Sequence, residues 1–261
     1  MKIFDSHAHI YPRKISLKAS ASIGVFYGID MHHDGMPHSL NELSKEAGIE
    51  KNLVCSVATT PHQVEAINDF ICKKCGEYEN FIGIATLHQD TPDPEAEVER
   101  VTGLGLRGIK FHPDFQHFAI DDEKMFPTYR ILEKKKLPVL FHTGDKRYEY
   151  SNPRRLMKVI EKFPDLICIG AHFGGYSEWD EAEKYPKHKN LYFDTSSSLS
   201  FMSESKAREF IEHFGAEQFM FGTDFPMWTP KEEIEKVLAL GLDEKTNEQI
   251  FHKTFEKLFC R

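Results

Sequence analysis

The clearest indication of the fold lies at residues 137–175, LPVLFHTGDKRYEYSNPRRLMKVIEKFPDLICIGAHFGG. It opens with an apolar run at 137–143, continues with the helical pattern PRRLMKVIEKF and closes with a second apolar run at 166–172. A proline stands at the start of the helical segment, which is typical of the first helical turn. Strand, helix and strand in this order predict a βαβ unit with two parallel strands.

The same alternation continues through the rest of the chain. We predict strands at 2–7, 52–58, 81–87, 106–112, 137–143, 166–172, 190–196 and 219–224, with helical patterns in the gaps. No glycine-rich dinucleotide motif follows a strand, and 261 residues suit one barrel domain. The sequence therefore predicts an α/β fold, a (β/α)8 TIM barrel, as a single domain over 1–261. The long segment 10–38 after the first strand is expected to be a loop on the substrate side.

Composition excludes several classes of protein. The 33 Lys and Arg residues against 41 Asp and Glu residues give a net charge of -8, which argues against a nucleic-acid-binding surface. No apolar run is long enough to span a membrane, and the start MKIFDSHAH does not look like a signal peptide. Five cysteines are too sparse for a disulfide scaffold. We therefore expect a cytoplasmic protein with neither nucleic acid nor membrane as a partner.

Metal-binding residue types stand at the ends of four predicted strands. His7 and His9 alternate along the first strand, so both side chains face the same way. His142 ends the fifth strand, His172 the sixth and Asp224 the eighth. Each residue alone also fits a structural role, and Asp224 fits a helix cap. Together, nitrogen and carboxylate donors at the face where barrels carry their active sites favour a catalytic metal site.

The chain resembles a known family. The motifs that carry the resemblance are DSHAH at 5–9, GLRGIKFHPDFQHFAIDD at 105–122, PVLFHTGD at 138–145, IGAHFGG at 169–175 and MFGTDFP at 220–226. They are similar to those of the amidohydrolase superfamily, in the amidohydrolase-2 branch of TIM-barrel metal-dependent hydrolases and decarboxylases. That branch includes aminocarboxymuconate-semialdehyde decarboxylase, gamma-resorcylate decarboxylase and pyrone-dicarboxylate lactonase. Because its members share these motifs but differ in reaction, the resemblance implies fold and metal and leaves the substrate open.

The resemblance also implies roles for the strand-end residues. His7, His9 and His142 would be metal ligands, and Asp224 would be both a ligand and the proton acceptor from a metal-activated water. His172 would be catalytic, either by approaching the metal or by orienting that water. One divalent cation is expected, with zinc as the first choice and iron, manganese or cobalt as alternatives. Such an ion lowers the pKa of a bound water toward about 7.

The fourth predicted strand departs from the binuclear members of the superfamily, in which a carboxylated lysine or a glutamate bridges two metals. Here Lys110 and His112 alternate onto one face of GIKFHP. A carbamylated Lys110 would allow a second metal, whereas a Lys110 that only neutralises Asp5 or Asp224 would be structural. We expect an unmodified Lys110 that binds an anionic substrate together with His112.

These expectations lead to a metal-dependent hydrolase acting on a small carboxylate-bearing ester, lactone or amide. The alternative is a metal-dependent nonoxidative decarboxylase with the same site. A TatD-like nuclease also opens with a D-x-H-x-H strand, but the acidic net charge and GIKFHP argue against it. A barrel that binds a ligand without catalysis is the remaining alternative. A homodimer is the expected assembly, since dimers are the commonest oligomers of soluble proteins.

Overall fold

The computed structural model describes residues 1–260. Its strands are β1 (Phe4–His9), β2 (Lys51–Cys55), β3 (Phe81–Gly83), β4 (Ala85–Thr86), β5 (Ile109–Phe111), β6 (Val139–Phe141), β7 (Cys168–Gly170), β8 (Leu191–Asp194) and β9 (Phe219–Met220). Every predicted strand is present, and the third is interrupted at Ile84 so that it becomes β3 and β4. The first strand has the predicted length but lies two residues later, at 4–9 rather than 2–7, and the other strands are shorter than predicted.

Helices alternate with these strands. They are α1 (Ser16–Tyr27), α2 (Pro37–Ala47), α3 (Val64–Glu77), α4 (Pro94–Gly103), α5 (Pro113–Gln116), α6 (Phe126–Lys135), α7 (Pro153–Lys162), α8 (Trp179–Ala182), α9 (Glu204–Phe214), α10 (Pro230–Ala239), α11 (Glu244–Glu248) and α12 (Thr254–Phe259). A π-helical turn, Gln249–Lys253, lies between the last two. Within residues 1–260, no helix combines the length and the apolar character that crossing a bilayer requires.

The segment 10–38 is a correction to the sequence-based expectation of a loop. Helix α1 occupies Ser16–Tyr27, and α2 begins at Pro37. The helical pattern is hard to recognise because α1 buries small residues such as Ser20 and exposes apolar ones, with Leu17 at 70% and Val25 at 86% exposure. A helix whose apolar residues face outward gives no hydrophobic stripe for a periodicity argument to detect.

The described residues divide into two compact units. Unit 1 comprises 1–56, 73–82 and 195–260, and unit 2 comprises 57–72 and 83–194. In unit 1, β1 pairs in parallel with β2, and the strand order is β1-β2-β3. Strand β1 also bonds to the segment 221–225. In unit 2, the strands β4 to β8 lie side by side in parallel, in chain order. These parallel pairings confirm the predicted α/β class.

The loops that follow β6 and β7 approach each other closely in unit 2. Gly144 has a φ of 74°, and a Cβ atom at this position would lie 2.4 Å from the carbonyl carbon of Gly175. Its amide donates to the carbonyl of Ser151 over 2.8 Å. Gly144 lies two residues after His142, and Gly175 lies three after His172. The two loops, which carry His142 and His172, can therefore come this close only because Gly144 has no side chain.

Gly144→Ala is expected to destabilise the protein through two effects, whereas Gly105→Ala carries only one of them. Gly105 also has a positive φ, 84°, but nothing lies within 4 Å of its Cβ position. The left-handed backbone should cost each variant roughly 1–2 kcal/mol, and the clash with Gly175 should add about 1–3 kcal/mol in Gly144→Ala. Denaturant unfolding measures both. Equal losses in the two variants would contradict the close approach.

Asn68 joins α3 to β4 inside unit 2. Its Nδ2 donates to the carbonyl of Thr86 over 3.0 Å, and its Oδ1 accepts from the amide of Thr86 over 2.8 Å. The same Nδ2 donates to Glu97 over 2.7 Å. The hydroxyl of Thr86 in turn donates to the carbonyl of Lys110 over 3.2 Å. This buried amide thus holds the strand that lies beside β5.

Asn68→Ala should lower the free energy of unfolding by about 2–4 kcal/mol, because the buried backbone groups of Thr86 lose their partners. The neighbouring Asp69→Ala is the control, since Asp69 is exposed and forms a surface ion pair with Arg100. That change should cost at most about 1 kcal/mol. Urea unfolding of both variants tests this difference, and a loss in Asn68→Ala no larger than in the control would refute it.

Candidate metal centre

Unit 1 brings together three of the predicted metal ligands. The Nε2 atoms of His7 and His9 are 3.1 Å apart. Oδ1 of Asp224 lies 3.6 Å from Nε2 of His7 and 3.5 Å from Nε2 of His9. His7 is buried, and the side chains of His9 and Asp224 are each 12% exposed. The three donor atoms therefore form a nearly equilateral triangle.

Backbone pairing between β1 and the segment 221–225 produces this triangle. The amide of Asp224 donates to the carbonyl of His7 over 2.8 Å, and the amide of His9 donates to the carbonyl of Phe225 over 2.7 Å. Asp224 itself has a φ of 57°, in the left-handed region. Such a conformation in a residue other than glycine is typical of functional sites, where surrounding contacts hold it in place.

Asp5 fixes this junction from within unit 1. Its carboxylate accepts hydrogen bonds from the amide of His7 over 3.0 Å and from the amide and hydroxyl of Thr223 over 2.9 and 2.6 Å. Burial raises the pKa of Asp5 to about 7, although the hydrogen bonds from Thr223 oppose this shift. The carboxylate thus binds the backbone of His7 and the residue before Asp224, so it positions both predicted ligands through the main chain.

Sequence reasoning missed two serines that contact the predicted ligands. The hydroxyl of Ser196 lies 3.1 Å from Nδ1 of His7, and the hydroxyl of Ser197 donates to Oδ2 of Asp224 over 2.5 Å. The indole Nε1 of Trp228 donates to the Ser197 hydroxyl over 2.8 Å. The signal that could have found them is the run of serines at 196–198, which begins at the last residue of the strand predicted at 190–196.

Cys55 offers a further donor near His9. Its thiol lies 3.6 Å from Nδ1 of His9, and the donor atoms of Cys55, His7 and His9 all lie within 4.8 Å of one another. The thiol faces the ring nitrogen opposite to the one that faces Asp224. The thiol of Cys55 therefore lies at the Nδ1 edge of the His9 ring, whereas the donor atoms of His7 and Asp224 lie at its Nε2 edge.

Unit 2 places the other two predicted histidines side by side. Nδ1 of His142 lies 3.1 Å from Nε2 of His172, and both side chains are buried. His172 has a φ of 61°, and its amide donates to Oδ1 of Asp194 over 3.0 Å. The indole of Trp179 donates to the carbonyl of His172 over 2.9 Å. These bonds fix the turn that presents His172 after β7.

A second cluster surrounds the opposite nitrogen of His142. Oδ2 of Asp114 lies 3.5 Å from Nε2 of His142 and accepts from Ser151 over 2.6 Å. Burial raises the pKa of Asp114 to about 7. His112, Asp114 and His142 place donor atoms within 4.8 Å of one another. The rings of His112 and His142 are stacked, however, with centroids 4.0 Å apart and planes 6° apart. Imidazole binds a cation in the plane of its ring, so these parallel rings cannot both point at one ion.

The predicted substrate-binding pair lies at the end of β5. Lys110 is fully buried, and His112 caps the short helix α5, where its Nδ1 accepts from the amide of Phe115 over 3.4 Å. That bond leaves the proton of a neutral His112 on Nε2. The two residues are thus a buried lysine and an imidazole whose Nε2 can donate.

The donors in unit 1 fit a divalent cation. With bonds of about 2.0–2.2 Å, neighbouring ligands of a tetrahedral or octahedral ion stand roughly 3.0–3.5 Å apart. The triangle of His7, His9 and Asp224 has edges of 3.1 to 3.6 Å. Two imidazoles and one carboxylate are also the mixed donor set of catalytic sites, which accept zinc and neighbouring transition metals.

Solved structures similar to this chain share its fold. An uncharacterised TIM-barrel protein from Bordetella bronchiseptica matches with a TM-score of 0.80 at 21% identity, covering 100% of this chain and 99% of that one. A 5-carboxyvanillate decarboxylase from Novosphingobium aromaticivorans, complexed with manganese and 4-hydroxy-3-methoxy-5-nitrobenzoic acid, matches at 0.75 and 15% over 100% and 96%. A probable 2-pyrone-4,6-dicarboxylic acid hydrolase from Acinetobacter baumannii, with citric acid bound, matches at 0.75 and 14% over 100% of both chains. These similarities confirm the predicted TIM-barrel fold.

The family comparison covers nearly the whole sequence. The model of the family described as Amidohydrolase matches residues 4–261. This range includes all five motifs on which the resemblance was based. The chain belongs to the amidohydrolase family.

Proposed function

We propose that this chain is a metal-dependent hydrolase that cleaves a small carboxylate-bearing ester, lactone or amide. Membership in the amidohydrolase family makes it an enzyme of that superfamily, so a barrel without catalysis is set aside. The observation that carries the proposal is the triangle of His7, His9 and Asp224, whose donor atoms stand 3.1 to 3.6 Å apart. We propose these three residues as ligands of one divalent cation, and that His142 completes the set stays a prediction from the sequence.

The proposed chemistry divides between the cation and the side chains. When bound, the cation supplies a Lewis acid that lowers the pKa of a water and polarises a substrate carbonyl. Asp224 takes a proton from the attacking water and returns it to the leaving group. Its Oδ2 already accepts from Ser197, which keeps the carboxylate in one orientation while the proton moves. His172 is the second proposed catalytic group, with the role of orienting the water.

Lys110 and His112 are proposed to bind the carboxylate of the substrate. Lys110 supplies positive charge in a buried position, where a charge interacts more strongly than it does in water. His112 supplies a donor at Nε2, since its Nδ1 accepts from Phe115. The similar structures from Novosphingobium aromaticivorans and Acinetobacter baumannii hold a benzoic acid and citric acid, and both ligands are carboxylic acids. Their chemistry supports an anionic substrate here.

A nonoxidative decarboxylase is the second candidate function. It is favoured by the similarity to 5-carboxyvanillate decarboxylase, which is as strong as the similarity to the probable hydrolase, with a TM-score of 0.75 for each. In this reaction the carbon–carboxylate bond breaks, carbon dioxide leaves, and the ring or vinyl carbon takes a proton from water or His172. The same cation and the same anion-binding residues would serve both reactions. Cytoplasmic location, a homodimer and the lack of nucleic-acid or membrane partners stay predictions from the sequence.

Metal analysis of the protein purified without added metal tests the cation directly. We expect about one equivalent of a divalent metal per chain, zinc first, whereas two equivalents would support a carbamylated Lys110. Asp224→Asn and His142→Ala should each lose most of the metal and lower turnover by about 10²–10⁴-fold. His213→Ala, on the exposed face of α9, is the matched control. A wild-type protein that binds no metal would refute the proposal.

Product analysis with a panel of carboxylate-bearing esters, lactones and aromatic acids separates the two reactions. A hydrolase should release one equivalent of acid per turnover without gas, because water adds across the cleaved bond. A decarboxylase should release one equivalent of carbon dioxide and take one proton from the solvent onto carbon. Titration of acid and trapping of carbon dioxide measure these outcomes, and gas release from the processed substrate would overturn the hydrolase assignment.

A further inference from the structure

The segment 195–198 of unit 1 places two buried hydroxyls against the donors of the candidate metal centre. Ser196 and Ser197 are 0% and 2% exposed. The Ser196 hydroxyl lies 3.1 Å from Nδ1 of His7, while Ser197 donates to Oδ2 of Asp224 over 2.5 Å. Each hydroxyl thus contacts the atom of a ligand that faces away from the triangle. Such contacts orient metal ligands in proteins and influence their affinity for the ion.

Trp228 determines which way the Ser197 hydroxyl points. An indole N–H can only donate, so the 2.8 Å contact makes the Ser197 oxygen the acceptor from Trp228. The single hydroxyl proton is then available to Asp224. The sulfur of Met227 lies 3.6 Å away, but a thioether is a weak acceptor beside a carboxylate. The chain Trp228, Ser197, Asp224 therefore has one direction, and it ends on Oδ2.

The backbone conformation at position 197 does not by itself call for serine. Its φ is 50°, in the left-handed region that glycine adopts without strain. A glycine would satisfy this backbone better than serine does. What serine adds at this position is the hydroxyl, and the strongest acceptor that the hydroxyl reaches is Asp224.

We propose that Ser197, held by Trp228, is a positioning residue that keeps Asp224 turned so that Oδ1 faces the Nε2 atoms of His7 and His9. The inference rests on the proposed function, since it assumes that these three residues bind a cation. With Oδ2 tied to Ser197, the carboxylate cannot rotate to present either oxygen at random. The ligand triangle is thereby formed before the ion arrives, which reduces the ordering that binding requires.

Substitutions at Ser197 and Trp228 test this role through metal affinity, without needing the substrate. Ser197→Gly removes the hydroxyl, so it should bind Zn²⁺ and Co²⁺ about 10- to 100-fold more weakly. Its melting temperature should change little, because relief of the left-handed backbone offsets part of the stability lost when the indole N–H of Trp228 loses its acceptor. Trp228→Phe keeps the ring but removes the donor, and it should weaken binding less. Chelator competition gives the affinities, and the visible spectrum of the Co²⁺ form reports the ligand geometry.

Ser198→Ala is the matched control, because Ser198 is equally buried and its hydroxyl donates to the carbonyl of Ser196 rather than to a ligand side chain. We expect wild-type metal affinity for this variant. A Ser197→Gly protein with wild-type affinity and an unchanged Co²⁺ spectrum would overturn the positioning role while leaving the proposed function intact. A wild-type protein that binds neither metal would overturn both, and loss of affinity only in proportion to loss of stability would also reject the inference.

Discussion

The hydrogen bonding between β1 and the segment 221–225 is the constraint on which the candidate site depends. It joins residues more than two hundred positions apart, with the amide of Asp224 on the carbonyl of His7 over 2.8 Å. Asp5 strengthens the same junction by accepting from both His7 and Thr223. Because the side chains of the proposed ligands are attached within this junction, a small shift of either segment would separate the three donor atoms.

Several residues of the candidate site have uncommon backbone conformations, which surrounding contacts stabilise. Ser197, Asp224 and His172 all have φ values between 50° and 61°. Left-handed residues other than glycine are strained, so each persists only because hydrogen bonds and packing fix it. At the ends of β6 and β7 the opposite solution appears, since Gly144 leaves room for the backbone of Gly175. Strain and missing side chains thus both serve to bring functional residues to fixed positions.

Much of the fold and part of the site could be predicted, and particular residues show why the rest could not. The strands were recognisable as apolar runs, and the period of two along β1 placed His7 and His9 on one face. Helix α1 was missed because it buries Ser20 and exposes Val25, so its periodicity carried no hydrophobic signal. Asp114 and Ser197 were missed because their relation to a histidine or a carboxylate arises from contacts across 28 and 27 positions.

The α/β alternation, the family motifs and the residue types at the strand ends can be read from the sequence alone. These follow from local patterns, because side-chain alternation and apolar runs are properties of neighbouring residues. The orientation of each side chain becomes visible only in the folded structure. There, Oδ1 of Asp224 faces two imidazoles while Oδ2 accepts from Ser197, and the rings of His112 and His142 stack in parallel. Such orientations depend on rotamers and turns that distant segments impose, and no local pattern encodes them.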